Sequence, residues 1–426
     1  MNSATAHQRP LRICLDARLL DGQAGGVQQA LAGLAAGLAQ LDDGDEEYLF
    51  LSFAGANDWL RPSLGGRCNL LEIPPPARGS LRGRLKAALP LIGRIGGALR
   101  RRPDPLPTSD GTVERAGADL MHFTTPLGFR TAIPSIYQPW DLQHIALPGF
   151  FPRRERERRE LWYRGLCAQA RLVVAASWAA RDDLLRHYGV PAASITVIPP
   201  APPVSTYAEP PPEQREAISR RLNLPAQFLL YPAQTWPHKN HLALLEAMAR
   251  LRDERGLMVP VVCAGTKNDF FPTIERRVRE LRLEHLALFV GFMQPPEMQT
   301  LYAHCRGVIF PSLFEGWGLP VSEAFWHGRP VACANVTSLP ELAGDAALLF
   351  DPRDPVAIAD AAARLWLDPA LGEELVARGR RRVTGYSWAD AARRFRAHYR
   401  RLAGRPLNEE DHALLASQPP LVEARP

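Results

Sequence analysis

Short apolar runs alternate with Ala- and Leu-rich amphipathic stretches along most of this chain. The apolar runs have the length of buried strands, and helix-like segments fill the intervals between them. The runs before residue 200 lie at 12–16, 48–53, 69–73, 119–123, 135–137, 171–176 and 195–198. The later runs lie at 228–231, 259–264, 286–290, 307–310, 331–334 and 347–350. Strands that alternate with helices predict βαβ units and parallel sheets, so the predicted fold class is α/β.

A proline-rich stretch separates the two series of runs. Residues 199–212 contain two dense proline clusters, which predict a semi-rigid linker. We therefore predict two Rossmann-like domains, one at 11–200 and one at 201–385. The polar, proline-containing tail at 403–426 is expected to be loosely ordered.

Composition is that of an ordinary globular enzyme. Hydrophobic residues make up 46% of the 426 residues and charged residues 23%, which is typical of soluble proteins. The six cysteines stand far apart and have no metal-ligand spacing, so we expect no metal site and a reducing, cytoplasmic location. The sequence has neither a signal-like N-terminus nor an apolar run long enough to span a membrane.

The formal net charge of +6 favours anionic partners such as nucleotides or phospholipid surfaces. The segment at 78–102 interleaves arginines with leucines and isoleucines, and a helix of that pattern can lie on the inner face of an anionic membrane. Pro90 and three glycines weaken such a helix, so a solvated excursion between strands is the alternative. Nucleic acid is not an expected partner, because no recognition helix or aromatic–basic repeat is present.

Two glutamates eight positions apart flank a glycine-rich turn. Glu315 follows the apolar run at 307–310, and Glu323 lies in the first turn of the helix-like segment that Pro320 opens. Ligands of parallel sheets bind at the carboxyl ends of the strands. Open backbone N–H groups and a helix N-terminus attract phosphate. One acid near a sugar, one near a ribose and a diphosphate between them is a chemically sensible arrangement for such a segment.

This stretch closely resembles the glutamate-x7-glutamate signature of the family 4 glycosyltransferases. Residues 328–331 and 338–341 resemble the continuation of that signature, and 231–241 resembles the family's lysine-bearing loop. Gly25 and Gly26 resemble its N-terminal glycine loop. The resemblance implies the GT-B architecture, in which two Rossmann-like domains face a central cleft. It also implies that a closing helix at 386–402 packs back on the N-terminal domain.

The resemblance implies a role for each motif residue. Glu315 holds the donor sugar, and Lys239 offers a cation to the leaving diphosphate. Glu323 accepts hydrogen bonds from the ribose, and the turn at Gly291 lies where relatives hold the base. Backbone N–H groups for the diphosphate are expected from Gly25, Gly26, Gly316, Trp317, Gly318 and Leu319. The implied donor is a nucleoside diphosphate sugar whose anomeric configuration is retained, without a metal or other cofactor.

Two positions depart from the family's pattern. Many relatives carry an arginine where this chain has Gln234, so diphosphate binding is expected to depend more on Lys239. Relatives often carry a histidine immediately before Asp141, where this chain has Trp140. His144 is the candidate substitute, and Asp141 and His144 are therefore added to the candidate catalytic residues. The alternative for both is a turn or capping role.

The resemblance implies a hexosyltransferase of bacterial surface-glycan biosynthesis. Mannose from GDP-mannose is the favoured donor group, and a glycan or lipid-linked oligosaccharide is the expected acceptor. A sugar-nucleotide epimerase on the same architecture is one alternative, and a degenerate transferase that only binds a glycan or a partner is another. A dinucleotide-dependent dehydrogenase is not favoured, because the first strand–helix turn lacks G-x-G-x-x-G. Ser177 and Trp178 follow a further apolar run and predict a helix start, with an acceptor-facing role as the functional alternative.

Overall fold

The computed structural model describes residues 9–20, 25–75 and 105–417. The basic segment at 78–102, for which we predict membrane contact, lies outside these ranges. So do the last residues of the tail, 418–426.

Two parallel sheets form the centre of the structure. The first has seven strands in the order β3-β2-β1-β4-β5-β6-β7, and the second has six in the order β10-β9-β8-β11-β12-β13. The first sheet comprises β1 Leu11–Asp16, β2 Glu46–Phe53, β3 Cys68–Ile73, β4 Leu120–Phe123, β5 Ser135–Tyr137, β6 Leu172–Ala175 and β7 Ile195–Val197. The second comprises β8 Leu229–Pro232, β9 Val261–Ala264, β10 Ala287–Gly291, β11 Gly307–Phe310, β12 Val331–Ala334 and β13 Ala347–Phe350. Each of the predicted apolar runs overlaps one of these strands, so the α/β prediction is confirmed.

Helices connect the strands and cover both sheets. Those around the first sheet are α1 Gly26–Ala39, α2 Thr112–Arg115, α3 Gln143–Ala146, α4 Arg153–Gln169 and α5 Trp178–Tyr188. Those of the second half are α6 Pro212–Arg221, α7 His241–Arg255, α8 Phe271–Glu280, α9 Pro295–His304, α10 Leu319–Trp326, α11 Leu339–Ala343, α12 Pro355–Leu367, α13 Pro369–Val383, α14 Trp388–Leu402 and α15 Glu409–Ala416. We call the first sheet with its helices the first lobe and the second sheet with its helices the second lobe.

The strands are buried on both faces, as parallel strands between helices must be. In β1, Ile13 and Leu15 belong to the core beneath α1 and α14, whereas Cys14 belongs to the core on the opposite face. All three side chains are fully buried. Side chains of a strand alternate between its faces, so a continuous apolar run fills two cores at once.

Helix α14 returns to the first lobe and packs against α1. A Cβ atom on Gly33 would lie 2.1 Å from the Trp388 indole, and one on Gly37 would lie 2.3 Å from the Trp388 carbonyl oxygen. Only glycine leaves room for helices to approach this closely. The Tyr399 hydroxyl also lies 2.8 Å from Nδ1 of His122, which is buried in β4. Helix α14 thus packs against a helix and a strand of the first lobe.

Buried arginines attach α14 to the first lobe. Nε of Arg400 donates to Glu46 Oε1 at 2.6 Å, and its Nη1 donates to Asp411 Oδ2 at 2.9 Å. Arg396, whose side chain is 1% exposed, donates to Asp43 at 2.6 Å. Buried charges are retained only when they are paired and hydrogen-bonded in this way.

The same ion pairs correct our prediction for the tail. Residues 403–417 are not loosely ordered, because they include α15, which begins with a reciprocal capping box between Asn408 and Asp411. Asp411 is fully buried beside Arg400. The polar sequence of this segment gives no sign that Asp411 is buried as the ion-pair partner of Arg400, eleven positions earlier.

Replacing Arg400 with alanine is expected to lower the free energy of unfolding by about 3–5 kcal/mol, since it leaves Glu46 and Asp411 buried without their partner. Urea denaturation monitored by tryptophan fluorescence measures this change. Arg393→Ala is the matched control on the same helix: its side chain is 44% exposed and its nitrogen lies 3.6 Å from Glu410. That control should change stability by less than about 1 kcal/mol. Equal losses in the two variants would contradict the buried clamp.

Candidate functional site

A cavity of about 410 Å³ lies between the two lobes, at the carboxyl ends of strands from both sheets. Eleven of the thirteen predicted site residues line it: Gly25, Gly26, Asp141, Gln234, Lys239, Glu315, Gly316, Trp317, Gly318, Leu319 and Glu323. They come from the loops after β5, β8 and β11, from helix α10, and from the turn that starts α1. The structure thus gathers residues that are as much as 298 positions apart in the sequence, Gly25 and Glu323.

The glycine loop of the first lobe faces the second lobe at very short range. Gly25 has a φ of +50°, a conformation that favours glycine, and a Cβ there would lie 3.0 Å from Nε2 of Gln234. A Cβ on Gly26 would lie 3.1 Å from the Leu319 side chain. The absence of side chains on both glycines lets the start of α1 approach the opposite lobe.

Gln234 is held in one orientation by a neighbouring tryptophan. The indole Nε1 of Trp236 donates to Oε1 of Gln234 at 2.7 Å. An indole N–H can only donate, so this bond identifies the amide oxygen and leaves the amide NH₂ on the side of Gly25. Gln234 therefore presents neutral donors to the cavity at the position where relatives carry a cation.

The strongest charge pair of the cavity joins Lys239 and Glu315. Nζ of Lys239 donates to Oε1 of Glu315 at 2.5 Å, and the two side chains are 18% and 12% exposed. The ammonium also lies 5.7 Å from the centroid of the Phe310 ring. A carboxylate and an ammonium thus stand side by side in one partly desolvated site, where charges interact more strongly than in water.

The Glu315 loop is fixed from behind by the segment that leads into α11. The Ser338 hydroxyl donates to the carbonyl oxygens of Glu315 and Trp317, both at 3.0 Å. Oγ1 of Thr337 accepts a hydrogen bond from the Glu315 backbone N–H at 3.1 Å. Gly318 adopts a φ of +106°, and a Cβ there would clash with Leu339 at 2.6 Å. These contacts fix the backbone of the loop that carries Glu315.

Glu323 lies at the inner end of the cavity and is 5% exposed. Burial raises the pKa of its carboxyl from the ordinary 4.5 to about 7, against the hydrogen bond that the Tyr302 hydroxyl donates to it at 2.6 Å. A buried carboxylate with one protein donor has further acceptor capacity, and ligand hydroxyls can use it.

Asp141 faces Glu315 from the first lobe. Burial raises the pKa of Asp141 to about 6, while the Gln143 backbone N–H and the charges of Arg159 and Lys239 oppose the shift. A Cβ on Gly316 would lie 2.5 Å from the Trp140 carbonyl oxygen and 3.2 Å from Cβ of Asp141, so the two lobes touch here as well.

Trp140, which replaces the histidine of many relatives, also lines the cavity. Its backbone adopts a φ of +69°, and its indole N–H donates to the Thr124 carbonyl at 2.8 Å. A tryptophan in the left-handed region is uncommon, and such strain often marks functional sites.

Two predicted site residues do not line the cavity. His144 is 2% exposed, and its Nε2 lies 3.1 Å from Glu160 and 3.3 Å from the Tyr188 hydroxyl. Its short helix directs Gln143 to the cavity and His144 into the first lobe, where burial lowers its pKa to about 4. The structure therefore does not place His144 where it could substitute for the missing histidine. Gly291 ends β10 at a φ of +82°, and the next residue, Phe292, reaches the cavity in its place.

Several cavity residues were not among those predicted. His238 and Trp236 lie in the lysine-bearing loop, and Tyr207 lies between the two proline clusters. Burial lowers the pKa of His238 to about 2, so this ring is neutral. Trp236 could have been found from the sequence, because a tryptophan that stands between two prolines and beside charged residues rarely lies in a core. In the structure its side chain is exposed. Tyr302, the partner of Glu323, had no local signal.

Metal-ligand clusters and membrane spans were sought in the same ranges. Within 9–20, 25–75 and 105–417, no group of three or more His, Cys, Asp or Glu side chains is placed to hold a metal ion. No helix in this part of the chain combines the length and apolar content needed to cross a bilayer. The absence of a metal requirement stays a prediction.

Two family models match most of the chain. Residues 226–368 match the model described as "Glycosyl transferases group 1", and residues 24–204 match "Glycosyltransferase Family 4". The first match contains Lys239 and both glutamates of the cavity, and the second contains the glycine loop and Asp141.

Individual relatives have related descriptions. The "O-antigen chain mannosyltransferase B" of Escherichia coli is 30% identical over 253 residues, which are 58% of this chain and 65% of that protein. The "D-inositol 3-phosphate glycosyltransferase" of Corynebacterium diphtheriae is 27% identical over 254 residues, 58% of this chain and 59% of that protein. The chain thus spans less than two thirds of the length of these curated relatives.

Solved structures share the whole architecture. Anabaena HepE, crystallised with UDP and glucose, superposes with a TM-score of 0.66 at 18% identity, covering 91% of this chain and 99% of the HepE chain. A likeness at this level of identity demonstrates a common fold.

Replacing Glu323 with glutamine is expected to change how stability depends on pH. Between the ordinary pKa of 4.5 and the folded-state pKa of about 7, the folded protein holds a proton that the unfolded chain has released. The stability from this proton is fully present below pH 4.5 and is lost as the pH rises through 7, by about 3 kcal/mol at most. Urea unfolding of the wild type and Glu323→Gln across this window measures the difference.

Glu254→Gln provides the control, because the Glu254 side chain is 56% exposed. This variant should keep the wild-type pH dependence. If the wild type and Glu323→Gln lose stability in parallel, the inner glutamate does not titrate in the way its burial requires.

Proposed function

This chain belongs to the group 1, family 4 glycosyltransferases, and on that premise we propose that it transfers a hexose from a nucleoside diphosphate sugar to a glycan acceptor. Its two doubly wound sheets have the GT-B architecture predicted from the sequence. The observation that carries the proposal is the convergence of Lys239, Glu315 and Glu323 in one cavity between the lobes.

The cavity provides a place for each part of the donor. Glu323 would accept hydrogen bonds from the ribose hydroxyls at the inner end, and Phe292 would contact the base. Lys239 would bind the diphosphate together with the backbone N–H groups of the two glycine turns. Glu315 would hold the hexose, because its carboxylate is adjacent to the ammonium that faces the diphosphate.

The chemistry needs few protein groups. The bond between the anomeric carbon and the diphosphate oxygen breaks, and its electron pair goes to the diphosphate. The acceptor hydroxyl oxygen forms the new bond on the same face of the sugar, and its proton passes to the departing phosphate oxygen. Lys239 stabilises the charge that collects on the leaving group, and Asp141 would orient a hydroxyl opposite it. This scheme retains the anomeric configuration and uses no metal or other cofactor.

Mannose is the favoured hexose, and the support for it is the description of the Escherichia coli relative as an O-antigen chain mannosyltransferase. A related acceptor would be a growing glycan or a lipid-linked oligosaccharide. Contact of residues 78–102 with the inner face of an anionic membrane would bring the cavity to such an acceptor, and it forms part of the same proposal.

Nucleotide screening tests the proposal directly. Calorimetry with GDP, UDP, ADP and dTDP identifies the base, and turnover of GDP-mannose, GDP-glucose and UDP-glucose identifies the sugar. We expect GDP to bind and GDP-mannose to be consumed. Binding of GDP with turnover of a different sugar would exclude mannose as the hexose but leave the transferase proposal in place. Nucleotide binding with neither transfer nor donor hydrolysis would support the degenerate binding protein. The family matches do not favour the epimerase, which would interconvert donors without an acceptor.

Replacing Lys239 with alanine is expected to raise the barrier to transfer by on the order of 2–4 kcal/mol, because the leaving diphosphate loses its cation. Steady-state kinetics should show the loss mainly in kcat. Lys267→Ala is the matched control: Lys267 is exposed, lies 4.6 Å from the Phe271 ring and does not line the cavity. A near-normal rate for Lys239→Ala would exclude this lysine from charge stabilisation.

A further inference from the structure

One carboxylate of the second lobe reaches the backbone of the first. The two Glu341 carboxylate oxygens accept hydrogen bonds from the Trp178 backbone N–H at 3.0 and 2.9 Å, and one of them also accepts from the Ala179 N–H at 3.3 Å. Glu341 lies on α11, and Trp178 is the first residue of α5. The contact therefore joins helices of different lobes.

Glu341 completes the N-terminus of α5. Ser177, which caps the helix from its own lobe, accepts a hydrogen bond only from the Ala180 N–H, at 3.0 Å. The N–H groups of Trp178 and Ala179 have no partner within the helix, and an anion is favoured at this end by the helix dipole. The sequence prediction of a helix start at Ser177 is confirmed, but the helix takes its charged partner from a residue 163 positions away.

The two residues immediately before α11 hold the Glu315 loop. Ser338, immediately before α11, donates to the carbonyls of Glu315 and Trp317, and Thr337 accepts from the Glu315 N–H. Only two residues separate Ser338 from Glu341. A displacement of α11 would therefore disturb both the start of α5 in the first lobe and the Glu315 loop.

Helix α11 itself is firmly packed in the second lobe. Leu339 and Leu342 are fully buried, and the Arg382 guanidinium donates to the carbonyl oxygens of Glu341 and Leu342. Burial raises the pKa of Glu341, while the two helix amides and Arg382 favour its charged form. The segment at 337–342 thus behaves as a rigid connector between two elements that must stay in register.

We propose that Glu341 is a positioning residue that fixes the first lobe to the loop carrying Glu315: Glu341, in the middle of α11, binds the N-terminus of α5, and Ser338, immediately before α11, binds the loop. Glu341 does not line the cavity and would touch neither donor nor acceptor. The expected effect of Glu341 on sugar transfer rests on the proposed function of Glu315. The hydrogen-bonded connection from α5 through α11 to the Glu315 loop does not rest on that function.

Hydrogen exchange followed by mass spectrometry tests the connection without any ligand. Glu341→Gln keeps the size of the side chain but replaces one acceptor oxygen and the charge, so exchange should accelerate in peptides that cover 178–180 and 313–319. The loss of a charge-assisted hydrogen bond predicts an acceleration of about tenfold at the helix start. Ser177→Ala removes the local cap only and should accelerate exchange at 178–180 alone. Asp345→Asn, at an acid that is 76% exposed just beyond α11, should change neither peptide.

Turnover separates a positioning role from a purely structural one. With GDP and GDP-mannose as probes, Glu341→Gln should retain GDP affinity within about twofold, because the nucleotide contacts remain, and release of GDP from GDP-mannose should slow by about tenfold. Unchanged exchange at 313–319 in Glu341→Gln would overturn the connection. Faster exchange with wild-type turnover would overturn the positioning role. If no donor is consumed by the wild type, the proposed function fails, while the exchange measurements still decide whether the connection exists.

Discussion

Parallel strand pairing is the constraint on which the rest of the structure depends. Every paired strand in the described ranges runs in the same direction as its neighbours. The carboxyl ends of all the strands in a sheet therefore lie on the same side of it. The carboxyl ends of the strands in one lobe face those of the other lobe. Loops after β5, β8 and β11 therefore deliver Asp141, Lys239 and Glu315 to one cavity, and the helices that follow point their N-termini at it.

Contacts that are distant from the cavity decide how closely the lobes approach. The last long helix, α14, leaves the second lobe and packs on α1 over Gly33 and Gly37, and Arg396 and Arg400 attach it to acids of the first lobe. Near the cavity, Gly25 and Gly26 leave room for the side chains of Gln234 and Leu319, which approach them from the opposite lobe. Substrate positioning at the sub-ångström level depends on such spacing, because small displacements of reacting groups have large effects on rate.

Burial of the Glu323 carboxylate carries a free-energy cost. Among the described residues, the Tyr302 hydroxyl is the one side-chain donor to Glu323, and the raised pKa of Glu323 reflects the penalty that burial imposes on its charged form. A ligand that donates hydrogen bonds to this carboxylate offsets part of the free-energy cost of its burial. Burial of the carboxylate therefore favours the binding of such a ligand. Gln234 and Trp140 show the opposite adjustment, since both replace groups that are charged or ionisable in many relatives with neutral donors held by fixed hydrogen bonds.

The sequence by itself determined the α/β class and the strands, because strand burial is a local property that residue spacing records. Of the residues that line the cavity it predicted eleven, several of them through motifs that resemble those of the family. Glu315 and Glu323 were located because their turn follows a strand and opens a helix, whereas Lys239 was located through the resemblance of its loop to the family's lysine-bearing loop. The tertiary structure decided that His144 turns into the first lobe, that the tail forms α15 around Asp411, and that Tyr302 meets Glu323. It also decided that Glu341 caps a helix of the other lobe. Each of these depends on a partner that is distant in the chain, and no local periodicity specifies which buried polar groups will satisfy each other.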